Sequence, residues 1–216
     1  MSDVRHPLFA RFYARFAETA ERMGAAAHRD ELLAGIAGRA IEVGAGTGTN
    51  FDHYPDTVTE VVAVEPEPYL RRLAERAAAR ASVPVRVVDG TADALPSPDA
   101  SFDAAVASLV LCSVPDQARA LAELHRVLRP GGVLRFYEHV RSGRPGLARV
   151  QSAVDVVWPF LAGGCHAGRD TASAITAAGF VVERERRFDF RPALVAAPVS
   201  PHVIGEARRP EQPHAV

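Results

Sequence analysis

The stretch Glu42-Val43-Gly44-Ala45-Gly46-Thr47-Gly48-Thr49-Asn50 decides how this chain is read. It directly follows a short apolar run at 40–43, which reads as a strand closed by glycines. Glycines at such a junction let the backbone turn tightly and let a ligand approach it closely. The pattern is GxGxG. In the dinucleotide pattern GxGxxG a third glycine starts a helix beneath a pyrophosphate, and here Thr49 stands in that place. Taken alone, such a loop also describes an ordinary strand-to-helix turn. The residues that follow separate the two readings.

Outward from the loop, strand and helix patterns alternate. Residues 61–65 (VVAVE) and 85–89 (VRVVD) are β-branched runs that each end in an acid. A fourth strand lies within 102–111 and a fifth at 133–139. Helical spacing fills 69–81 and 117–128, the latter with Leu121, Leu124 and Leu128 on one face. Strands apolar on both faces, separated by helices, imply a parallel sheet covered on both sides with right-handed crossovers. Beyond residue 141 the rhythm loosens. Helices are expected at 146–161 and 170–178, and strands at 181–187 and 202–207 suit an antiparallel hairpin at the sheet edge. Ahead of the loop, 8–23 is an amphipathic helix that Gly24 ends or kinks, and a second helix covers 28–37. The expected fold class is α/β: a Rossmann-like, seven-stranded, mostly parallel sheet with one antiparallel edge strand, helices on both faces and an N-terminal helical lid. The expected division is a cap at 1–38, one domain at 39–208 and a flexible tail at 209–216.

The acids at the strand ends give the loop its chemistry. Glu65 follows Gly44 by 21 positions, where nucleotide folds place the acceptor for ribose hydroxyls, roughly 20 residues on. Asp89 opens the next loop, Asp89-Gly90-Thr91-Ala92-Asp93, in which Asp93 can take the exocyclic amine of adenine. Asp and Thr are also ordinary turn residues. Ligands of open α/β sheets sit at the carboxyl ends of strands. A crevice without a pyrophosphate seat suits S-adenosylmethionine.

Bulk properties exclude several classes. The 216 residues make about one domain. The 25 basic and 26 acidic side chains leave a net charge of −1, so no global field draws the chain to nucleic acid or an anionic membrane. Every basic residue is arginine, and Trp158 is the single tryptophan. Cys112 and Cys165 are too few and too far apart for a disulfide framework or a zinc ribbon, so no metal is expected. No apolar run reaches the ~18 residues of a membrane helix, and a cytoplasmic location is expected.

At the words EVGAGTG, VVAVEPEPYLRRLAERA, VRVVDGTADALPSPDASFDAAVASLVLCSVPD and ALAELHRVLRPGGVLRFYEHV the chain resembles the class I methyltransferases, in their type 11, ubiquinone-biosynthesis-like branch. These words span 41–140, about half the chain. SLVLCSVPDQ, RVLRPGG, YEHV, GGCHAGRDT and SPHVIGEA extend the resemblance to the alkyl thiol S-methyltransferases of mammalian endoplasmic reticulum, whose hydrophobic N-terminal anchor is not matched here. The resemblance implies S-adenosylmethionine as cofactor. It implies Gly44, Gly46, Glu65 and Asp93 as contacts, joined by Pro66, Thr91 and Ala92, with Ser108 and Leu109 lining the methyl-donor pocket. Glu42 is expected to orient water or the methionine amino group.

The acceptor is read as a small thiol, which needs only a mild base because its pKa is about 8.5. The candidate bases are His139, His166 and Asp170, with His202 behind them. A quinone-like carbon or a small amine is the alternative acceptor. A cofactor-binding module without turnover and a nicotinamide oxidoreductase are the alternative classes. Phe9 and Tyr13 either lid the site or simply pack on the core.

Overall fold

A computed structural model describes residues 7–192 and 194–211. The expected positions 1–6 of the cap and 212–216 of the tail lie outside the described residues. Helix α1 (Pro7–Ala20) passes through one π-helical turn (Glu21–Ala25) into α2 (Ala26–Leu33). Gly24 makes the kink, with φ of 113°, a value that a residue with a Cβ rarely adopts. The strands are β1 (Gly38–Val43), β2 (Val58–Val64), β3 (Val85–Val88), β4 (Phe102–Ser108), β5 (Leu128–His139), β6 (Val181–Asp189) and β7 (Pro201–Arg208). The later helices are α3 (Pro68–Ala78), α4 (Gln117–Val127), α5 (Pro145–Val154), α6 (Trp158–Leu161) and α7 (Thr171–Ala177).

The sheet order is β3-β2-β1-β4-β5-β7-β6. The first five strands run parallel, and β7 is antiparallel to both neighbours. The antiparallel pair closes the sheet as expected. The reversed strand itself stands second from the edge, with β6 outside it. One face is covered by α4 and α7, whose Leu121, Leu124 and Ile175 pack on Ile41, Val43, Ala105 and Phe136. The other is covered by α2 and α3, with Leu32, Leu33 and Ala74 against Val61, Ala63 and Tyr137.

Two boundaries differ from the sequence reading for local reasons. Strand β5 starts at Leu128, which pairs with Phe102; Arg129–Gly132 then loops out before Val133 pairs with Ala104. Arg209 pins this loop: its N–H donates to Gly132 O at 2.8 Å, and its carbonyl accepts from Gly131 N at 2.9 Å. Arg209, the first residue of the expected flexible tail, is therefore docked beside the sheet. The single helix expected over 146–161 is two, α5 and α6, because Pro159 has no N–H with which to continue an incoming helix.

The sheet order reverses between β1 and β4. The loops that leave these two strands diverge to opposite faces, and ligands of doubly wound sheets bind in the resulting crevice.

Candidate active site

At that crevice lies a cleft of about 950 Å³. Small-molecule sites span about 300–1,000 Å³, so this one lies at the large end of that range. Its floor is the loop after β1. Gly44 and Gly46 adopt φ of 64° and 58°. A Cβ on Gly44 would collide with Val110, and one on Gly46 would lie 3.3 Å from the Tyr13 ring. These two positions need glycine both for the backbone and for the space.

Glu65 follows the last residue of β2 and is 4% exposed. Its Oε2 accepts from Gly46 N–H at 2.7 Å and its Oε1 from Glu67 N–H at 2.9 Å. Each oxygen keeps a lone pair for the cleft, a fixed acceptor pair matched to two vicinal hydroxyls. Burial pushes this carboxyl up to about 7 against the pull of the two N–H bonds. Pro66, Thr91, Ala92 and Asp93 also line the cleft. Arg119 Nε holds their loop by donating to Asp93 O at 3.0 Å. Asp89 instead pairs with Arg71 at 2.8 Å on the exposed side. A glycine cradle, a diol acceptor and the Asp93 carboxyl in the loop after β3 together fit an adenosyl group.

On the far side Leu109 lines the cleft with φ of 56°, a strained value for leucine. What holds it is Glu138, which is fully buried. Its carboxylate accepts from three successive backbone N–H groups, Val110 at 3.0 Å, Leu111 at 2.9 Å and Cys112 at 3.0 Å. Burial drives this carboxyl well above the usual range. Sequence reasoning passed over Glu138, although an acid inside the apolar run Phe136-Tyr137-Glu138 was a signal.

Two cofactor expectations are corrected. Glu42 is buried and absent from the cleft wall; Asn50 Nδ2 donates to it at 2.9 Å and Tyr54 OH at 2.7 Å. Burial pushes it up to about 7. Asn50 Oδ1 in turn accepts from Arg29 Nη1 at 2.6 Å, and Glu21 accepts from Arg29 Nε at 2.7 Å. Glu42 therefore acts one step back, by orienting the partner of Arg29. Ser108 likewise turns toward Arg29 Nη1, at 3.4 Å, and does not line the cleft. Arg29 does line it and is 5% exposed. A lone arginine in a helix with little amphipathic pattern carried no sequence signal.

Two catalytic expectations are also corrected. Asp170 is exposed and caps α7, accepting from Ser173 N at 3.3 Å and Ser173 Oγ at 2.8 Å. His166 turns its Nδ1 to Asp155 at 3.2 Å. Neither reaches the cleft. His139 does, beside Cys165 and His202. His202 Nδ1–H donates to Ser200 O at 2.7 Å, and burial lowers this imidazole to about 3, so it stays neutral at physiological pH. The surprise is around His139. Its Nδ1 lies 3.5 Å from Cys112 Sγ and 3.5 Å from Cys165 Sγ, and the sulfurs are 3.7 Å apart. Positions 112, 139 and 165 have no metal-ligand spacing in sequence, and only the fold joins them. Neighbouring Cys165 and then burial push the Cys112 thiol up. Over the mouth, α1 presents Phe9, Phe12, Tyr13 and Phe16.

Comparison with known proteins agrees with this geometry. Residues 41–136 match the family described as methyltransferase domain. The human thiol S-methyltransferase TMT1B is 35% identical over 182 residues, 81% of this chain and 73% of that one. Human TMT1A is 33% identical over 171 residues, 77% and 69% respectively. Among solved structures, a SAM-dependent methyltransferase from Thermotoga maritima superposes with a TM-score of 0.68 at 24% identity, covering 93% of this chain and 97% of that one. The chain belongs to the class I S-adenosylmethionine-dependent methyltransferases, in the family of the thiol S-methyltransferases TMT1A and TMT1B.

Proposed function

We propose that this methyltransferase acts on the sulfur of a small apolar thiol. One observation carries the reading. The likeness to TMT1B extends over 182 residues, far beyond the 41–136 core that handles the cofactor. It therefore takes in acceptor-side segments. In the fold that side is apolar, walled by Val114, Trp158, Ala162, Phe190 and Val199, and it ends at His139 and Cys165.

The roles follow from placement. Glu65 takes the ribose hydroxyls, and Gly44 and Gly46 let the adenosyl group lie against bare backbone. Pro66, Thr91, Ala92 and Asp93 surround adenine. Arg29 faces the methionine carboxylate. The cofactor's sulfonium supplies an already activated methyl group, so the protein contributes mainly alignment of the acceptor with the methyl–sulfur axis. Helix α1 excludes water, and His139 stands at the acceptor end of the cleft.

A small-molecule acceptor agrees with a cleft of about 950 Å³ walled mainly by apolar side chains. Among the described residues no helix is long and apolar enough to cross a membrane. A reducing, cytoplasmic setting belongs to this reading, because two buried thiols this close together oxidise readily elsewhere. The test is a parallel assay of thiols, phenols, quinols and amines with methyl-labelled cofactor, read by mass spectrometry. Label should appear in thioethers. Label confined to carbon, oxygen or nitrogen products would refute the thiol acceptor, and cofactor binding without any product would refute turnover.

A further inference from the structure

We propose that Cys112, Cys165 and His139 form a zinc site whose open position faces the acceptor end of the cleft, where it binds the acceptor as a thiolate. This rests on the thiol reading above and adds how the thiol is activated.

The geometry is the first argument. Zinc takes thiolate at about 2.3 Å and imidazole nitrogen at about 2.0–2.1 Å, in a tetrahedron. Those lengths require S···S edges of about 3.8 Å and S···N edges of about 3.5 Å. The observed edges are 3.7 Å between the sulfurs and 3.5 Å from each sulfur to His139 Nδ1. All three sides of a tetrahedral face are present at these lengths.

Second, the triangle is built, not accidental. Cys112 and His139 come from different strand ends. Glu138, the residue before His139, locks them together by accepting from Cys112 N–H at 3.0 Å. Cys165 is tied in turn, because His166 N–H donates to Cys112 O at 2.8 Å. Gly164 must lie close to make this approach: a Cβ there would meet Ser113 O at 2.7 Å. The surroundings are apolar, with Ala167, Val199, Trp158 and Ala162 packed on the cysteines. Two thiolates and a divalent ion sum to zero charge, which such a setting tolerates.

Third, the set is incomplete in the manner of a catalytic site. Closed structural sites have four protein ligands, whereas catalytic ones keep three and an open position. Among the described residues no fourth histidine, cysteine or carboxylate joins this cluster. His139 and Cys165 line the cleft, so the vacant corner looks into it. Trp158 Nε1, buried on the same wall, has no acceptor among the described residues, which agrees with a wall completed by a ligand.

The step balances. The acceptor R–SH binds the zinc and releases its proton to solvent. Its sulfur lone pair then forms the new C–S bond as the methyl–sulfonium bond breaks. The products are R–S–CH₃ and neutral S-adenosylhomocysteine. The thioether carries no charge, is a poor ligand, and leaves.

The test uses the full chain, isolated anaerobically, stripped with a chelator and titrated with cobalt(II). One equivalent should bind with tetrahedral visible bands and a thiolate charge-transfer band, and zinc should displace it. A short alkanethiol should shift the visible bands. Cys112→Ser and Cys165→Ser should each weaken metal binding by about a hundredfold or more, and His139→Ala by at least about tenfold. All three should keep wild-type affinity for S-adenosylhomocysteine, which shows that they fold. An absent tetrahedral spectrum, a spectrum unchanged in the cysteine variants, or a Cys112–Cys165 disulfide in the anaerobic chain would overturn the site. Metal-free protein that still methylates thiols at the full rate would sink the zinc site and leave the thiol reading standing. Metal-loaded protein that methylates only phenols or amines would sink both.

Discussion

Replacing Glu65 by alanine probes the cofactor cradle most sharply. The carboxylate holds Gly46 N–H at 2.7 Å and Glu67 N–H at 2.9 Å, and it offers its remaining lone pairs to the ribose. The variant loses those ribose bonds and strands two buried N–H groups, each costing about 1–3 kcal/mol. A single bond to a charged group contributes about 1.5–3 kcal/mol, which converts to a roughly 10- to 150-fold change in affinity. Glu65→Ala should therefore bind S-adenosylhomocysteine more than about tenfold more weakly in calorimetry at pH 7.5. The same group sets a pH dependence. Its carboxyl sits at about 7 in the free protein, and hydroxyl donors favour the charged form. Affinity should rise from pH 6 to pH 8, with proton release on binding near pH 7. Below pH 7 it should fall by roughly tenfold per unit. Affinity within twofold of wild type in Glu65→Ala, or a flat profile across pH 6–8 in the parent, would refute the ribose assignment.

Glu42→Gln should stabilise the protein at pH 8 and lose that advantage near pH 5. The folded value of about 7 lies above the unfolded 4.5, so the native chain holds a proton that the unfolded chain has already released. Stability therefore falls as pH rises across that window, by up to about 3 kcal/mol, and amide replacement removes the loss. Melting temperatures at the two pH values check this. Glu138→Ala strands the N–H groups of Val110, Leu111 and Cys112 and should destabilise by about 3 kcal/mol or more in denaturant titration, with Glu138→Gln much milder. His139→Ala should lower turnover by about 10²-fold or more while cofactor affinity, read by calorimetry, stays unchanged; a wild-type rate would reduce His139 to scaffold.

Much of this molecule was legible because its signals are local. The first three parallel strands are short apolar runs closed by glycine or an acid, and a strand end is where the fold puts ligand contacts. Hence Gly44, Gly46, Glu65 and Asp93 could be placed on the cleft from order along the chain, while Pro66, Thr91, Ala92 and Leu109, which also line it, came with the family resemblance. The errors share a different cause. Glu42 and Glu65 both lie at strand ends, and only packing shows that Tyr54 and Asn50 occupy one of them. Asp170 and His166 lie in a segment similar to thiol methyltransferases. Asp170 caps a helix and His166 turns to Asp155, while their neighbour Cys165 faces the cleft. Arg29, Glu138 and the Cys112–His139–Cys165 cluster are long-range constructions. Cys112 and His139, 27 positions apart, meet only after β4 and β5 pair, and Cys165 reaches them from beyond α6, 26 positions after His139, so no spacing rule could reveal them.

The most direct measurement is a crystal structure with S-adenosylhomocysteine bound. Both ribose hydroxyls should lie on the Glu65 carboxylate, and adenine should lie beside Thr91, Ala92 and Asp93. The thioether sulfur should turn toward His139 and Cys165. A ligand seated elsewhere, or one whose sulfur faces away from those two side chains, would contradict this placement.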